Sequence, residues 1–380
     1  MAVILSEGRA PERDAAPVPI EGHGAAAVRK GRPMNNMVSM PRSELRRQAR
    51  VARALGSPFV AAVLDAAERQ LDRGPRTATL IAGWPEDPAA SALGLRLNSA
   101  MHALARQGSP PSLAALFRRE HDDFDAALAA AFQTKDRFIA EWIRCPTQTN
   151  EVARAAAICA ALLVLGRETG MPVDLLEIGS SCGLNLNLAH YHYDLGGTLV
   201  GDPSSPVRIA PAWRGPAPEA ASFDILSSRG VDLKPLDPQD ATTRERLLAY
   251  VWADQHARAS RLGSALELAC RFPPRVERAD ALSWLKERLM EPQAEGVCRV
   301  VFHSMVLQYL NGDARQTFAD MLHRAGERAT RARPLAWISF EWTRSREQVR
   351  LNLTSWPGTT RLLAICHPYG DWIEWRREAG

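Results

Sequence analysis

The segment Val173-Asp174-Leu175-Leu176-Glu177-Ile178-Gly179-Ser180-Ser181-Cys182-Gly183-Leu184-Asn185 joins an apolar run, an acid, and two glycines around three small residues. This order predicts a strand, a tight turn and a helix. In open α/β sheets such a turn lies at the carboxyl end of a strand, where ligands bind. Gly179-Ser180-Ser181-Cys182-Gly183 also matches G-x-S-x-G, an elbow that exposes a nucleophilic serine, here Ser181. Asp313 and His367 follow in the chain order that a serine hydrolase requires. That fold sets several strands before its elbow, whereas this chain sets helices there. A dinucleotide site needs G-x-G-x-x-G, and Ser181 and Leu184 stand where its second and third glycines belong. The second glycine lets backbone approach a pyrophosphate, so its absence counts against that reading.

Polar residues recur after later apolar runs. Asp232 follows Ile225–Val231, Asp280 follows Val276–Ala279, and His303 and Ser304 close a run that begins at Val300. Tyr309 lies in Val306-Leu307-Gln308-Tyr309-Leu310, and Glu341 ends Leu335–Glu341. Asn150 and Glu151 precede an apolar helix, and Trp252, Asp254 and Gln255 stand between two helical runs. Structural roles compete for each of them. Asn150, Glu151, Asp280, Ser304 and Asp254 suit helix caps. His303 suits a satisfied core histidine, Tyr309 a core position, Trp252 a pocket wall, Asn187 the surface, and Glu341 a pair with an arginine such as Arg344.

Glu177-x-Gly179-x-x-x-Gly183 resembles the first loop of class I S-adenosylmethionine-dependent methyltransferases. That resemblance implies a Rossmann-like sheet with S-adenosylmethionine as cofactor. It implies that Glu177 receives the donor's ammonium, and that Gly179, Ser181, Gly183 and Asn185 line the donor loop. Asp232 would hold the ribose hydroxyls and Asp280 would meet the adenine amino group. Ser304 would lie in the stretch that floors the site, and His303 would face the acceptor. Asn150, Glu151, Trp252, Asp254, Gln255 and Tyr309 are the candidate substrate contacts. The region Gln148–Trp375 further resembles a bacterial family of unknown function, DUF2332. The likeness rests on Gln148-Thr149-Asn150-Glu151, Glu177-Ile178-Gly179, Gly183-Leu184-Asn185, Val251-Trp252-Ala253-Asp254-Gln255 and His303-Ser304, with Trp356-Pro357-Gly358 and Gly370-Asp371-Trp372. It implies that these polar segments gather at one site.

The elements that must position these residues fall into three stretches. Residues 1–40 are rich in Ala, Gly, Pro and charge and read as a disordered tail, with Met34, Met37 and Met40 as alternative starts. Residues 41–147 read as a helical lobe, with Leu93, Leu97, Met101 and Leu104, and Phe124, Leu128 and Phe132, at helical spacing. Residues 148–380 alternate short apolar runs with helices, which predicts a Rossmann-like α/β domain. Helical sequence is expected over Thr242–Ala269, interrupted around Trp252–Gln255, and a loop over 193–221. Val349–Trp356 and Arg361–His367 predict an antiparallel hairpin through Pro357-Gly358.

The chain of 380 residues carries a net charge of +4, which gives no electrostatic case for nucleic acid. No run of about 18 apolar residues predicts a membrane span. Six scattered cysteines without C-x-x-C spacing predict a reducing, cytoplasmic setting and no zinc site. The expected partner is a small-molecule substrate; oligomeric state is not legible. The leading expectation is methyl transfer to a small or medium-sized acceptor. Two others stand beside it: a non-catalytic nucleotide sensor or scaffold, and a serine hydrolase at Ser181.

Overall fold

The computed structural model describes residues 41–376 apart from Ala90. The tail expected over residues 1–40 lies outside the described residues. The first helices are α1 (Pro41–Ala54), α2 (Pro58–Gln70), α3 (Pro75–Ala82), α4 (Leu93–Arg106), α5 (Pro111–Phe117) and α6 (Phe124–Ile143). Each turns an apolar stripe inward: Val60, Val63, Leu64 and Ala67 on α2, Leu93, Leu97, Met101 and Leu104 on α4, Leu128 and Phe132 on α6. These side chains form one core, which Tyr250 and Trp252 enter from the later chain. Ala78–Ile81 belongs to α3. The next helix, α7 (Ala155–Thr169), is buried from Ala155 through Gly166. It is apolar all round, as a helix packed on several sides must be.

The chain then enters the sheet at its middle. The strands are β1 (Val173–Ile178), β2 (His192–Leu195), β3 (Thr198–Val200), β4 (Arg208–Ile209), β5 (Ala212–Arg214) and β6 (Ile225–Asp232). After helices α8 (Ala241–Tyr250) and α9 (His256–Arg271) come β7 (Val276–Arg278), α10 (Ala281–Met290), β8 (Cys298–Ser304) and α11 (Gly312–Gly326). The strands β9 (Leu335–Trp342), β10 (Val349–Trp356), β11 (Thr360–Cys366) and β12 (Trp372–Trp375) follow. Nine of them form one mixed sheet in the order β5-β12-β11-β10-β9-β8-β1-β6-β7. From β7 to β9 every neighbouring pair is parallel. The pairs β9–β10, β10–β11 and β11–β12 are antiparallel, and β5 closes the edge parallel to β12. The hairpin expected around Pro357-Gly358 is β10–β11.

The chain runs outward from β1 through β6 to β7, then returns to the other side of β1 as β8 and β9. At such a reversal the two connections leave in opposite directions, and a crevice opens at the carboxyl ends of the strands. Both faces of the central strands are covered: Leu175, Leu176, Val300, Val301 and Phe302 have no exposed surface.

The helical stretch expected over Thr242–Ala269 is α8 and α9, which part at Val251–Gln255 where Trp252 turns into the helical core. Two local expectations change. Residues 193–221 are not a plain loop: β2, β3 and β4 form a small sheet, and β5 joins the large one. The segment after Gly183 is a 3-10 stretch, Leu184–His190, broken at Asn187. Among the described residues no helix is long and apolar enough to cross a membrane.

Candidate functional site

The crevice is a real cavity of about 470 Å³, within the usual range for small-molecule sites. The ends of β1 and β6 and the turn after β8 form its walls, and the segment Pro146–Glu151 covers it.

The turn after β1 follows from its glycines. Gly179, Ser181 and Gly183 have φ of 70°, 54° and 71°, so the backbone is left-handed three times in five residues. This tight path folds the N–H groups back onto protein. Gly179 and Ser180 donate to the Val231 carbonyl at 2.9 and 3.0 Å, and Gly183 donates to the Ser180 carbonyl at 2.7 Å. Ser181 N–H donates to Asp232 Oδ2 at 2.9 Å, and Cys182 N–H donates to Asn150 Oδ1 at 2.8 Å. Asp232 Oδ1 accepts from Lys234 N–H at 2.8 Å. A phosphate-binding turn keeps such N–H groups for its ligand; this turn does not. A Cβ on Gly179 would stand 2.5 Å from Val306 Cγ2. Gly179→Ala is therefore expected to cost about 2 kcal/mol through clash and positive φ, read by urea unfolding. A loss below about 0.5 kcal/mol would show that the turn tolerates a side chain there.

The acid at the end of β1 faces this turn. Glu177 lines the cavity at 3% exposure, and its Oε2 has no hydrogen-bond partner. Ser181 Oγ and Asn185 Oδ1, also on the cavity wall, are buried and unpartnered too. Buried polar atoms in folded proteins are nearly always paired, so this group marks where a ligand's donors belong. Burial pushes the Glu177 carboxyl up to about 8; Asp232's charge adds to this, while Ser180 and Asn185 oppose it.

Nine of the residues singled out in the sequence line this cavity: Glu177, Gly179, Ser181, Asn185, Asp232, Ser304, Asn150, Glu151 and Tyr309. Asn150 sits at φ 39° and ties the covering segment to Cys182 N–H. Glu151 caps the short turn Val152–Arg154, accepting from Ala153 N–H at 3.2 Å. Tyr309 is 67% exposed at the cavity wall, so it is not a core residue. Gly183 lies just behind, where a Cβ would meet Pro274 and Val276 at 2.7 Å.

Other residues are placed elsewhere, and their expected roles are corrected. His303 has no exposed surface. Its Nε2 accepts from the Trp337 indole N–H at 2.9 Å, and its Nδ1 bonds Glu341 Oε1 at 2.7 Å. An indole N–H only donates, so the imidazole proton sits on Nδ1 and points at Glu341. With both nitrogens committed, His303 does not face an acceptor. Glu341 in turn pairs with His303, not with Arg344. Asp280 is exposed and caps α10, accepting from Ser283 N–H at 3.0 Å. Its neighbours Ala279 and Ala281 line the cavity instead. Trp252 is core, Asp254 accepts from the Ser57 hydroxyl at 2.6 Å, and Gln255 accepts from Arg258, so this trio stays outside the cavity. Asn187 is buried rather than superficial, donating to the Phe272 carbonyl at 2.8 Å.

The sequence reading missed Arg154 and Thr147, which line the cavity, and Met305, whose φ of 60° turns the chain after β8. Arg154 reads as one polar residue in an apolar helical run, and nothing in the spacing separates it from a surface arginine. Among the described residues no cluster of His, Cys, Asp and Glu could hold a metal ion.

The profile of the family described as "Uncharacterized protein conserved in bacteria (DUF2332)" matches residues 42–375, nearly the whole described chain. The chain belongs to the DUF2332 family. No curated protein and no solved structure matches it. In this DUF2332 chain the matched span includes the helical layer, the sheet and every cavity-lining residue. The helices before α7 are thus part of the matched family domain, although none of their residues lines the cavity.

Proposed function

We propose that this DUF2332 protein is an S-adenosylmethionine-dependent methyltransferase acting on a small or medium-sized acceptor. One observation carries the reading. Two carboxylates, Glu177 and Asp232, stand at the carboxyl ends of the first two strands of a sheet ordered β7-β6-β1-β8-β9, and both line one cavity. Among these five parallel strands the order third-second-first-fourth-fifth is like that of a doubly wound fold, which supports the reading. Asp232 repels a pyrophosphate, Glu177 offers it no positive charge, and the turn N–H groups are already committed. A nucleoside carrying a cation and no phosphate suits this cavity better than a dinucleotide does.

The donor supplies an electrophilic methyl group on a sulfonium. Glu177 would receive its ammonium, with Ser181 Oγ and Asn185 Oδ1 completing the shell around it. Each Asp232 oxygen accepts one backbone N–H and keeps a lone pair for a ribose hydroxyl. The turn after β8 and the covering segment would hold the acceptor in line, which is the main task in such a transfer. Among the described residues no histidine lines the cavity, so Ser181 lacks a histidine base; this weighs against the hydrolase reading.

Calorimetry with S-adenosylmethionine and S-adenosylhomocysteine tests the proposal. Asp232→Ala is expected to weaken binding about 10- to 50-fold, the worth of hydrogen bonds to a charged acceptor. Unchanged affinity would refute the ribose assignment. No binding of either nucleoside at millimolar concentration would refute the donor, and fluorophosphonate labelling of Ser181 would then favour hydrolysis. Binding without turnover across acceptor panels would favour a sensor.

A further inference from the structure

The segment that covers the cavity is pinned to both loops that carry its carboxyl groups. Asn150 Oδ1 accepts from Cys182 N–H at 2.8 Å, in the turn after β1. Gln148 Nε2 donates to the Lys234 carbonyl at 3.1 Å, just past Asp232 at the end of β6. Glu151 is gripped by Arg258, with Nε at 2.8 Å and Nη2 at 2.6 Å, and both side chains are buried. At the other end the ring of Pro146 fixes its own φ. The segment therefore bridges the two loops and keeps little freedom between its anchors. Asn150 suits the bridge twice over. Its φ of 39° is left-handed, a conformation that asparagine adopts more readily than most residues, and its amide oxygen reaches the turn.

What the bridge presents is Thr147. This residue lines the cavity, and its Oγ1 is buried with no hydrogen-bond partner. Glu177 Oε2, Ser181 Oγ and Asn185 Oδ1 are in the same state, but they come from β1 and the stretch that follows it, whereas Thr147 comes from the cover. A buried hydroxyl left unpaired costs stability. One that lines a cavity regains its bond when a ligand with a donor or an acceptor fills the space.

We infer that Thr147 is a ligand-binding residue of the cavity and that Asn150 is the positioning residue that holds it over the site. That the ligand is the nucleoside of S-adenosylmethionine rests on the donor reading above; the role of the hydroxyl does not. Calorimetry with S-adenosylhomocysteine and urea unfolding of the ligand-free, full-length protein read both. Thr147→Val keeps the shape without the hydroxyl. It is expected to leave the urea midpoint unchanged or higher and to weaken S-adenosylhomocysteine about three- to tenfold, the worth of one hydrogen bond. Asn150→Gly keeps the left-handed backbone and removes the tether, and is expected to weaken binding about tenfold. Asn150→Asp keeps an acceptor oxygen and is expected to stay within about threefold of wild type. Within Asn150→Gly, adding Thr147→Val is expected to cost less than about 1.5-fold, because a misplaced hydroxyl has no bond left to lose. Should Asn150→Gly fail to fold by circular dichroism, Gln148→Ala takes its place in the cycle, since it cuts only an exposed bond. A lower urea midpoint in Thr147→Val would reveal a structural partner for the hydroxyl and overturn the inference, as would unchanged affinity. Penalties that add in the double variant would remove Asn150 as the positioning residue. If the wild-type protein binds no S-adenosylhomocysteine, the donor is refuted, and the midpoint of Thr147→Val alone decides whether the hydroxyl awaits a different ligand.

Discussion

Glu177→Gln is expected to stabilise the ligand-free protein at alkaline pH while crippling donor binding. Glutamate in the unfolded chain titrates near 4.5, and in the folded chain Glu177 titrates near 8 because burial penalises its charge. Between those values the folded chain keeps a proton that the unfolded chain has lost. The stability this group contributes is therefore full below pH 4.5, is lost as pH rises, and is gone above about 8. At about 1.4 kcal/mol per pH unit the whole span is worth about 4 to 5 kcal/mol. Glutamine keeps the shape and never ionises, so the variant should lose this slope and be more stable than wild type at pH 9 by an amount of that order. Urea unfolding from pH 5 to 9 reads it.

Ligand binding should move the other way. A cation needs the ionised carboxyl, so wild-type affinity for S-adenosylhomocysteine should rise toward pH 8, with proton release visible as buffer-dependent heat. Glu177→Gln should bind about 100-fold more weakly at pH 8 and show no such rise. Parallel pH profiles of stability and binding in the two proteins would remove Glu177 from the site. Stability gained where function is lost is the expected trade at a site that holds an unsatisfied group for its ligand.

Glu341→Ala carries the next largest effect. Glu341 Oε1 accepts from His303 Nδ1–H and Val306 N–H, each at 2.7 Å, and from Leu307 N–H at 3.2 Å. These bonds fasten the turn after β8, where Met305 sits at positive φ and Ser304, Val306, Gln308 and Tyr309 reach the cavity. Alanine would strand up to three buried donors, each costing about 1 to 3 kcal/mol less what entering water recovers; the expected loss is about 3 to 5 kcal/mol. Glu341→Gln keeps an acceptor oxygen and should restore most of it. Nucleoside affinity should fall with Glu341→Ala as well, because the released turn no longer shapes the cavity. A loss under about 1 kcal/mol with unchanged affinity would make the pair an incidental contact.

His303 and Glu341 also show where reading the sequence stops. Each ends a short apolar run, and from the run alone nothing says whether His303 is a core histidine or faces an acceptor, or which partner Glu341 pairs with. In a parallel strand covered on both faces, neighbouring residues are equally apolar and carry no alternation to say which way a polar one points. Packing decided it: Trp337 on the next strand offers an indole N–H, and the histidine turns to meet it. Asp280 failed for a different reason. A carboxylate before a helix serves as cap or ligand with the same letters, and here Ser283 claims it.

The sequence by itself determined the parallel strands, the turn at 179–183, and the two acids at Glu177 and Asp232, because apolar period and glycine placement are local properties. The family resemblance, not the spacing, grouped Asn150 and Glu151 with the polar segments that line the cavity. Tertiary structure alone decided that the turn's N–H groups are consumed by Val231, Asp232, Asn150 and Ser180, which turns the cavity away from phosphate. It alone brought Arg154 and Thr147 to the wall and sent Trp252, Asp254 and Gln255 away from it. Those outcomes depend on partners tens to hundreds of residues distant, such as Ser57 for Asp254. Hydrogen-bond competition between distant segments leaves no periodic trace in either one.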